Sequence, residues 1–491
     1  MSQMAALVLM PLFGAFIAFV LPRYARITGI TVAFIQLGLA LSLATTIYAG
    51  ETLRLSAAGW DPPLGIGLYA DGLTALFLCL TSVVGLGTSL HAIGYFKFDR
   101  NDSNHNTSAH GWWPLWLALW AALNALFLTE DAFNLYVTLE LIGLAAVALV
   151  ALEAHAVAAA TRYLLVGLLG SMFYLLGVGL LYALHGTVDM KALSAGMQPE
   201  PAAWMAMALM TAGLLLKTAL FPLHFWLPPA HANAPAPVSA ILSALVVKAA
   251  FYALLRLWLG PFEPLAADLA GQLIGILGAA AIIWGSVQAF MAPRLKLVVA
   301  YSTVAQIGYL FLWFPLAGSS IAGSIAWYGV VWLALSHGLA KAGLFLAAGN
   351  ILHASGHDRV TDLAGVGQHL PITLFAVGIA CASIMGLPPS GGFVGKWLLL
   401  NAAFVSGQWW WAVVMLLGGI MAAAYSFRVL LHAFRNKESQ LPQHRPHPVM
   451  EWSALALAVC AVLLGILSAQ PLALLEVGAS VGELALTEAP K

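Results

Sequence analysis

The stretch LLLKTALFPLHFWLPPAHANAPAPVSAILSALVVKAAFY (214–252) sets two apolar runs, each with a lysine inside it, on either side of a segment crowded with prolines. Pro222, Pro228, Pro229, Pro235 and Pro237 fall within sixteen residues. Proline has no backbone N–H and clashes with the preceding turn, so no continuous helix runs through them. A second break, GLPPSGG (386–392), stands just before Lys396. Interrupted segments in corresponding places of two halves mark an internal repeat with ion sites at the discontinuities. A repeat needed for folding alone would not require the lysines.

The rest of the composition supplies the solvent for such runs. Of 491 residues, 62% are hydrophobic and 8% charged, whereas a soluble domain uses about a quarter charged residues. A water-soluble globule is excluded, and the chain must meet lipid. Apolar stretches of about 18 to 25 residues recur from end to end, each long enough to cross a hydrocarbon core of about 30 Å as a helix. Fourteen are read, near 4–22, 27–49, 68–90, 112–129, 131–153, 160–184, 202–222, 238–259, 268–290, 297–317, 323–350, 370–387 continuing as 392–406, 409–433 and 451–470. Barrel strands would alternate instead, so the fold class is an all-α polytopic membrane protein, with broken helices 7 and 12. The N-terminus is apolar from Ala5 onward with no basic region before it, and reads as the first membrane helix, not as a signal peptide.

The 20 Lys+Arg balance the 20 Asp+Glu, so net charge points neither to nucleic acid nor to an anionic surface. Counted on alternate loops, Arg23, Arg26, Lys97, Arg100, Arg162, Arg294, Lys296, Arg359, Arg435, Lys437 and Arg445 fall on one side, and Arg54, Lys191, Arg256 and Lys491 on the other. The positive-inside rule turns the first set to the cytoplasm and both termini outside. Arg428 reads as snorkelling to the cytoplasmic face. What remains is Lys217, Lys248, Lys341 and Lys396, in GLLLKTALF, ALVVKAAFY, HGLAKAGLF and GGFVGKWLL. A charge at a helix centre costs about 2.5 to 3.5 kcal/mol on the insertion scale, so four such lysines call for a function. Glu140, in DAFNLYVTLELIGLAAV, is the acidic group at mid-membrane and the natural partner of one of them. The pair reads either as a helix-gluing ion pair or as a titrating one.

His224 lies seven residues after Lys217 and could relay protons, since a neutral imidazole both donates and accepts. His231, seven further on, reads as a loop residue near the surface. His337 and Lys341, four apart, share a helix face and favour a hydrated cavity. His353, His357 and Asp358 in HASGHDRV read as a solvated loop, not a metal site. The 17 tryptophans read as interfacial anchors. Cys79, Cys381 and Cys460 lie far apart with no CxxC, and no phosphate loop, GxGxxG or HExxH occurs, so no cofactor or metal is expected.

These motifs resemble the antiporter-like subunits of respiratory complex I, membrane-bound hydrogenases and Mrp-type cation/proton antiporters. The resemblance covers about 65–435. It rests on FNLYVTLELIGL around Glu140, the 214–252 stretch, LKLVVAYSTVAQIGY (295–309), HGLAKAGLFLAAG (337–349) and GLPPSGGFVGKW around Lys396. With GWDPPLGIGLYADGLTAL (59–76), the chain looks most like the D subunit of Mrp antiporters or its hydrogenase relatives. The family's largest members carry a long lateral helix after the fourteenth segment, and this chain is not expected to be one of those. Some complex I subunits carry Glu at the place of Lys396, which favours the other branches. The resemblance implies N-terminal helices 1–3 (1–110), an inverted five-helix repeat of helices 4–8 (111–260), a second of helices 9–13 (261–435), and helix 14 with its tail (436–491). It further implies a Glu140–Lys217 pair, a central Lys248 and a terminal Lys396 opening to the far aqueous phase.

The expected function is a proton-translocating subunit of a multisubunit complex, without a redox centre of its own, in a bacterial or archaeal cytoplasmic (inner) membrane. Protons would pass along Glu140, Lys217, Lys248, Lys341 and Lys396, with His224 and His337 as relays. Its partners would be other membrane subunits, the lipid bilayer and protons, with sodium or potassium ions as candidates for coupling and no role for nucleic acid. The same residues suit a pumping subunit of a complex I-like NADH:quinone oxidoreductase or a hydrogenase. A stand-alone solute transporter also uses inverted repeats and broken helices, but needs a substrate pocket in place of a string of titratable groups. A passive scaffold would leave the lysines without work.

Overall fold

The computed structural model describes residues 2–62, 64–96, 103–317, 320–435 and 444–478. The loop charges Lys97, Arg100, Lys437 and Lys491 lie outside the described residues, as does most of the 436–491 tail beyond its helix.

Helices α1 (Gln3–Val20), α2 (Ala25–Tyr48) and α3 (Gly72–Tyr95) open the chain, with an antiparallel hairpin of β1 (Leu53–Ser56) and β2 (Gly67–Ala70) before the third. Next come α4 (Ser103–Leu128), α5 (Ala132–Val150), α6 (Val157–His185), the short α7 (Met190–Gly196) and α8 (Pro201–Thr218), where the helix stops. Past the break lie α9 (Leu227–Asn233), then α10 (Ala236–Ile241), a π turn over Leu242–Val246, and α11 (Val247–Leu259), the last three making one span. The second half runs through α12 (Asp268–Met291), α13 (Leu295–Phe311), its last turn α14 (Trp313–Leu316), and α15 (Ser320–Ser355). It continues with α16 (Val366–His369), α17 (Pro371–Met385), α18 (Gly391–Val405) and α19 (Trp409–Ala433). Helices α20 (Pro448–Ile466) and α21 (Ala469–Glu476) close the described chain.

Among the described residues 13 spans are long and apolar enough to cross a membrane. The 15-residue α17 and α18, on either side of GLPPS, are the two pieces of a fourteenth. The chain is a multi-pass helical membrane protein, as its composition requires. An open two-stranded hairpin would leave edge backbone groups unpaired inside lipid, which is why it is confined to a loop. No sequence pattern announces the hairpin, because two four-residue strands are too short to show alternation.

Both breaks fall where the prolines and glycines place them. After Thr218 the chain enters the left-handed region at Ala219 (φ 56°), and Leu220 N–H returns to the Leu215 carbonyl at 3.2 Å. After Met385 the same turn is made by Gly386 (φ 85°), with Leu387 N–H on the Ala382 carbonyl at 3.0 Å. This is the ordinary way to end a helix, but here it happens twice inside a membrane span.

Loop contacts sort the chain ends into two faces. The bridges Leu68 to Thr129 and Asp131 to Asp189 gather one set of loops with the hairpin, and Arg294 to Arg359 gathers the other. On the hairpin face the acidic residues act as N-caps: Asp71 accepts from Thr74 N–H (2.9 Å), Asp131 from Asn134 N–H (2.6 Å) and Asp189 from Ala192 N–H (2.8 Å). A capping carboxylate satisfies donors that the first turn leaves free.

The middle of the spans containing α11 and α15 is buried, so the molecule is built around them, while α1, α2, α5, α6, α12 and α19 turn one side outward. Helix α8 is drawn tightly onto α6 because Gly170 and Gly213 face each other. A Cβ at Gly213 would lie 2.3 Å from the Gly170 carbonyl oxygen. Gly213→Val should therefore force the helices apart at about 1–3 kcal/mol, the usual range for overpacking. Gly179→Val, on a part of α6 with open space, should not. Thermal unfolding of the two variants in detergent checks this. Equal melting of Gly213→Val and wild type would mean that the close approach is dispensable.

Candidate functional site

The first helix break carries an ion pair. Lys217, one residue before the end of α8, donates from Nζ to Glu140 Oε1 on α5 at 3.1 Å. Ser171 Oγ on α6 donates to the same oxygen. The two side chains are 10% and 19% exposed, so the charges meet mostly out of solvent. Lys217 also stands where the α8 carbonyls point past its C-terminus, an end that favours a cation. A small cavity of about 30 Å³ adjoins the pair, lined by Glu140, Lys217, Tyr163 and Gly167, and by Val246 and Ala250, which flank Lys248. One water molecule fits such a space.

Lys248 is buried on α11, and its Nζ donates to the Ser243 carbonyl in the π turn. Ser243 Oγ in turn lies 2.9 Å from Thr303 Oγ1 on α13. Lys341 is buried on α15 and donates to the Val299 carbonyl at 3.0 Å and to Ser302 Oγ. His337, one turn from Lys341, is buried with neither ring nitrogen hydrogen-bonded among the described residues. Lys396, on α18, reaches back across the second break to the Ile384 carbonyl at 2.6 Å, with Nζ 4.5 Å from the centroid of the Tyr309 ring. Each break thus has a lysine beside it, Lys217 in the last turn of the helix that stops and Lys396 with its ammonium group on the carbonyl end of α17.

The structure brings Glu140 and Lys217 into contact. Among the described residues no hydrogen bond joins Lys248, Lys341, Lys396, His337 or His224 to one another. His224 lies in the turn after α8, its ring stacked on Phe221 at 5.4 Å. His231 corrects the expectation of a surface loop residue: it is 0% exposed on α9, stacked on Phe345 of α15 at 5.1 Å, with no hydrogen bond to either ring nitrogen among the described residues. The prolines around it suggest a loop, yet they begin a short helix that folds inward, because proline is well placed in a first turn.

Two loop charges are also more buried than the sequence implies. Lys296 is buried, with its Nζ donating to the Ala234 carbonyl. Arg256 forms a two-pronged pair with the buried Asp71, from Nη1 to Oδ2 at 2.6 Å and from Nη2 to Oδ1 at 2.5 Å. Their partners come from distant parts of the chain, which no local pattern displays. Arg428 donates to the Phe290 and Ala292 carbonyls at the end of α12, the latter at 2.9 Å. Asp358 accepts from Arg294 Nε at 2.9 Å and from Lys296 N–H at 3.3 Å, so it serves the start of α13. His357 beside it is exposed.

Residues 129–422, which hold every group just described from Glu140 to Lys396, match the family described as NADH:quinone oxidoreductase/Mrp antiporter, TM. The chain belongs to this family. As a member, it is 36% identical over 444 residues to the N subunit of NADH-quinone oxidoreductase from Desulforudis audaxviator, an overlap of 87% of this chain and 85% of that protein. It is 26% identical over 469 residues to the D subunit of the Na(+)/H(+) antiporter from Bacillus subtilis, covering 94% and 92%. A chain of the Mrp complex from Dietzia sp. DQ12-45-1b superposes with a TM-score of 0.87 at 25% identity, covering 98% of this chain and 99% of that one. This family member is an antiporter-like membrane subunit. The relatives span both branches, the oxidoreductase N subunit and the antiporter D subunit.

Proposed function

We propose that this chain is a proton-translocating subunit of a multisubunit complex in a bacterial or archaeal cytoplasmic membrane, of the same kind as the Mrp D subunit. The observation that carries the reading is the Glu140–Lys217 contact at a helix break inside the membrane. Intramembrane ion pairs of this type mark ion pathways. The names of the relatives, subunits of a quinone oxidoreductase and of Na(+)/H(+) antiporters, support membrane partners for this chain too.

The energetics suit proton transfer. At about 4 Å and an effective dielectric near 20, two unit charges interact by about 4 kcal/mol. Moving one charge through 100 mV takes about 2.3 kcal/mol. Opening and closing one such pair therefore operates on the scale of one proton crossing an energised membrane. A proton enters near Lys217, passes the water-sized cavity toward Lys248, continues by His337 and Lys341, and leaves through Lys396. His224 serves the inlet side, and the buried His231 joins it as a further relay. Neutral lysine accepts a proton and charged lysine donates one, whereas arginine stays charged, so lysine fits every station.

The chain divides on this reading into helices 1–3 (1–110), inverted repeats over 111–260 and 261–435, and a final helix with its tail (436–491). Both termini face outward, because the more basic set of loops lies on the opposite face from the hairpin. The 36% identity to the oxidoreductase N subunit gives weight to a second reading, a pumping subunit in a complex I-like oxidoreductase or hydrogenase. Sodium or potassium would be the coupled ion only on the first.

The test uses the complex that copurifies with the tagged chain, reconstituted in liposomes with a pH-sensitive dye inside. An imposed sodium or potassium gradient should drive proton movement if the complex is an antiporter, and quinone reduction should do so if it is a redox pump. The purified chain taking up an organic solute without partners would overturn both in favour of a stand-alone transporter.

A further inference from the structure

Above Lys248, toward the hairpin face, lies a polar cavity of about 240 Å³ that the pathway through Lys396 does not use. Tyr69, Asp71, Glu130, Lys191 and Arg256 line it. Glu130 is paired with Arg54 at 3.0 Å, and burial pushes its carboxyl above the ordinary range in spite of that arginine. The floor of the cavity is closed in two layers. The upper layer is the Asp71–Arg256 pair, whose guanidinium also donates to Thr74 Oγ1 (2.8 Å) and, through Nε, to Tyr252 Oη (3.0 Å). The lower layer is aromatic: Phe77, Phe127 and Tyr252 pack with ring centroids 4.9 to 5.4 Å apart, and Tyr252 Oη donates to the Phe127 carbonyl at 2.6 Å.

Tyr252 and Lys248 are one turn apart on α11, about 6 Å along its axis, so they share a helix face. Lys248 leans away from the cavity onto Ser243, which leaves the aromatic layer between its ammonium group and the polar space. A dry aromatic constriction beneath a fixed guanidinium is the combination that keeps protons and cations out of a pore. Helix glue alone would not need a water-accessible cavity on one side and a lysine on the other.

We propose that Phe77, Phe127 and Tyr252, locked by Asp71 and Arg256, form a gate through which Lys248 exchanges protons with the hairpin face, separately from Lys396. Resting on the proton-translocating reading above, the gate is shut in this structure. When the ion pair parts and Tyr252 swings aside, water from the cavity reaches Lys248. The ammonium group then passes one proton to that water and becomes a neutral amine, which is recharged from the Lys217 side.

The test is passive proton leak in proteoliposomes of the complete complex, without driving substrate or ion gradient. Asp71→Asn, which leaves Arg256 without its counter-charge, should raise the leak several-fold, and Asp71→Asn/Lys248→Ala should return it to the wild-type level. Phe77→Ala opens the aromatic layer without touching the ion pair and should leak in the same Lys248-dependent way, so a failure of Asp71→Asn to assemble does not remove the test. Tight vesicles with both single variants, or a leak that survives Lys248→Ala, would overturn the gate. Lys248→Ala alone tests the underlying reading. Wild-type driven transport in that variant would sink proton translocation through Lys248, whereas lost transport together with tight Asp71→Asn and Phe77→Ala vesicles would sink only the gate.

Discussion

Proton transport should fall to the background of empty liposomes when Glu140 is replaced by alanine or glutamine, and equally when Lys217 becomes alanine, with the complex recovered in normal amount. Glutamine is the sharper variant. It keeps the length of Glu140 and can still accept from Ser171, so the packing between α5, α6 and α8 survives while the charge is gone. Removing one member of a buried pair typically costs about 3–5 kcal/mol, because the other charge is left without compensation. A neutral amine at Lys217 escapes that penalty, so the cost appears as a lysine that no longer holds its proton when it should. Initial rates of dye quenching at matched protein density provide the measurement. Wild-type rates with either residue replaced would end the switch mechanism.

The second large effect is expected at Lys341. Its ammonium group donates to the Val299 carbonyl and Ser302 and has no carboxylate against it among the described residues, which on the proposed pathway would make it an exchange station between α13 and α15. Lys341→Ala should abolish transport, and Lys341→Arg should do nearly the same. Arginine retains the positive charge but does not deprotonate in proteins, so it fails specifically at exchange. If arginine restored the rate, a fixed charge would suffice and Lys341 would not pass protons. If alanine also transported normally, the scaffold reading would be favoured.

Much of this architecture is visible in the residues. Prolines and glycines at 222–237 and 386–392 force the two interruptions, and the structure stops α8 and α17 within a few residues of those stretches. The Glu140–Lys217 contact follows from scarcity, since a lysine in lipid needs an acid and few acids are there. What the sequence hides is whatever depends on a distant partner. Arg256 and Lys296 look like loop charges until Asp71 and the Ala234 carbonyl are brought beside them from elsewhere in the chain. His231 looks exposed because proline-rich segments usually are, and the packing of α9 on α13 with the ring stacked on Phe345 of α15 turns it inward. Ser171 sits on the same stripe as Gly167 and Gly170, and that small-residue stripe on α6 is a local signal of a helix pressed close to a neighbour. The π turn before Lys248 leaves no mark at all, since LSALV suits an ordinary helix equally well.

The way the buried lysines are held has a consequence for ionic selectivity. Lys248, Lys341 and Lys396 rest on main-chain oxygens of Ser243, Val299 and Ile384, not on carboxylates. An ammonium group offers three hydrogens and no lone pair, and here it also occupies the oxygens that a bare alkali ion would need as ligands. The carbonyls hold each ammonium group in place without taking its proton, and to sodium or potassium the row presents like charge and blocked ligands. On the proton-translocating reading, such a row would carry protons and exclude alkali metals, and any such ion exchanged by a complex would cross along another polypeptide or another seam.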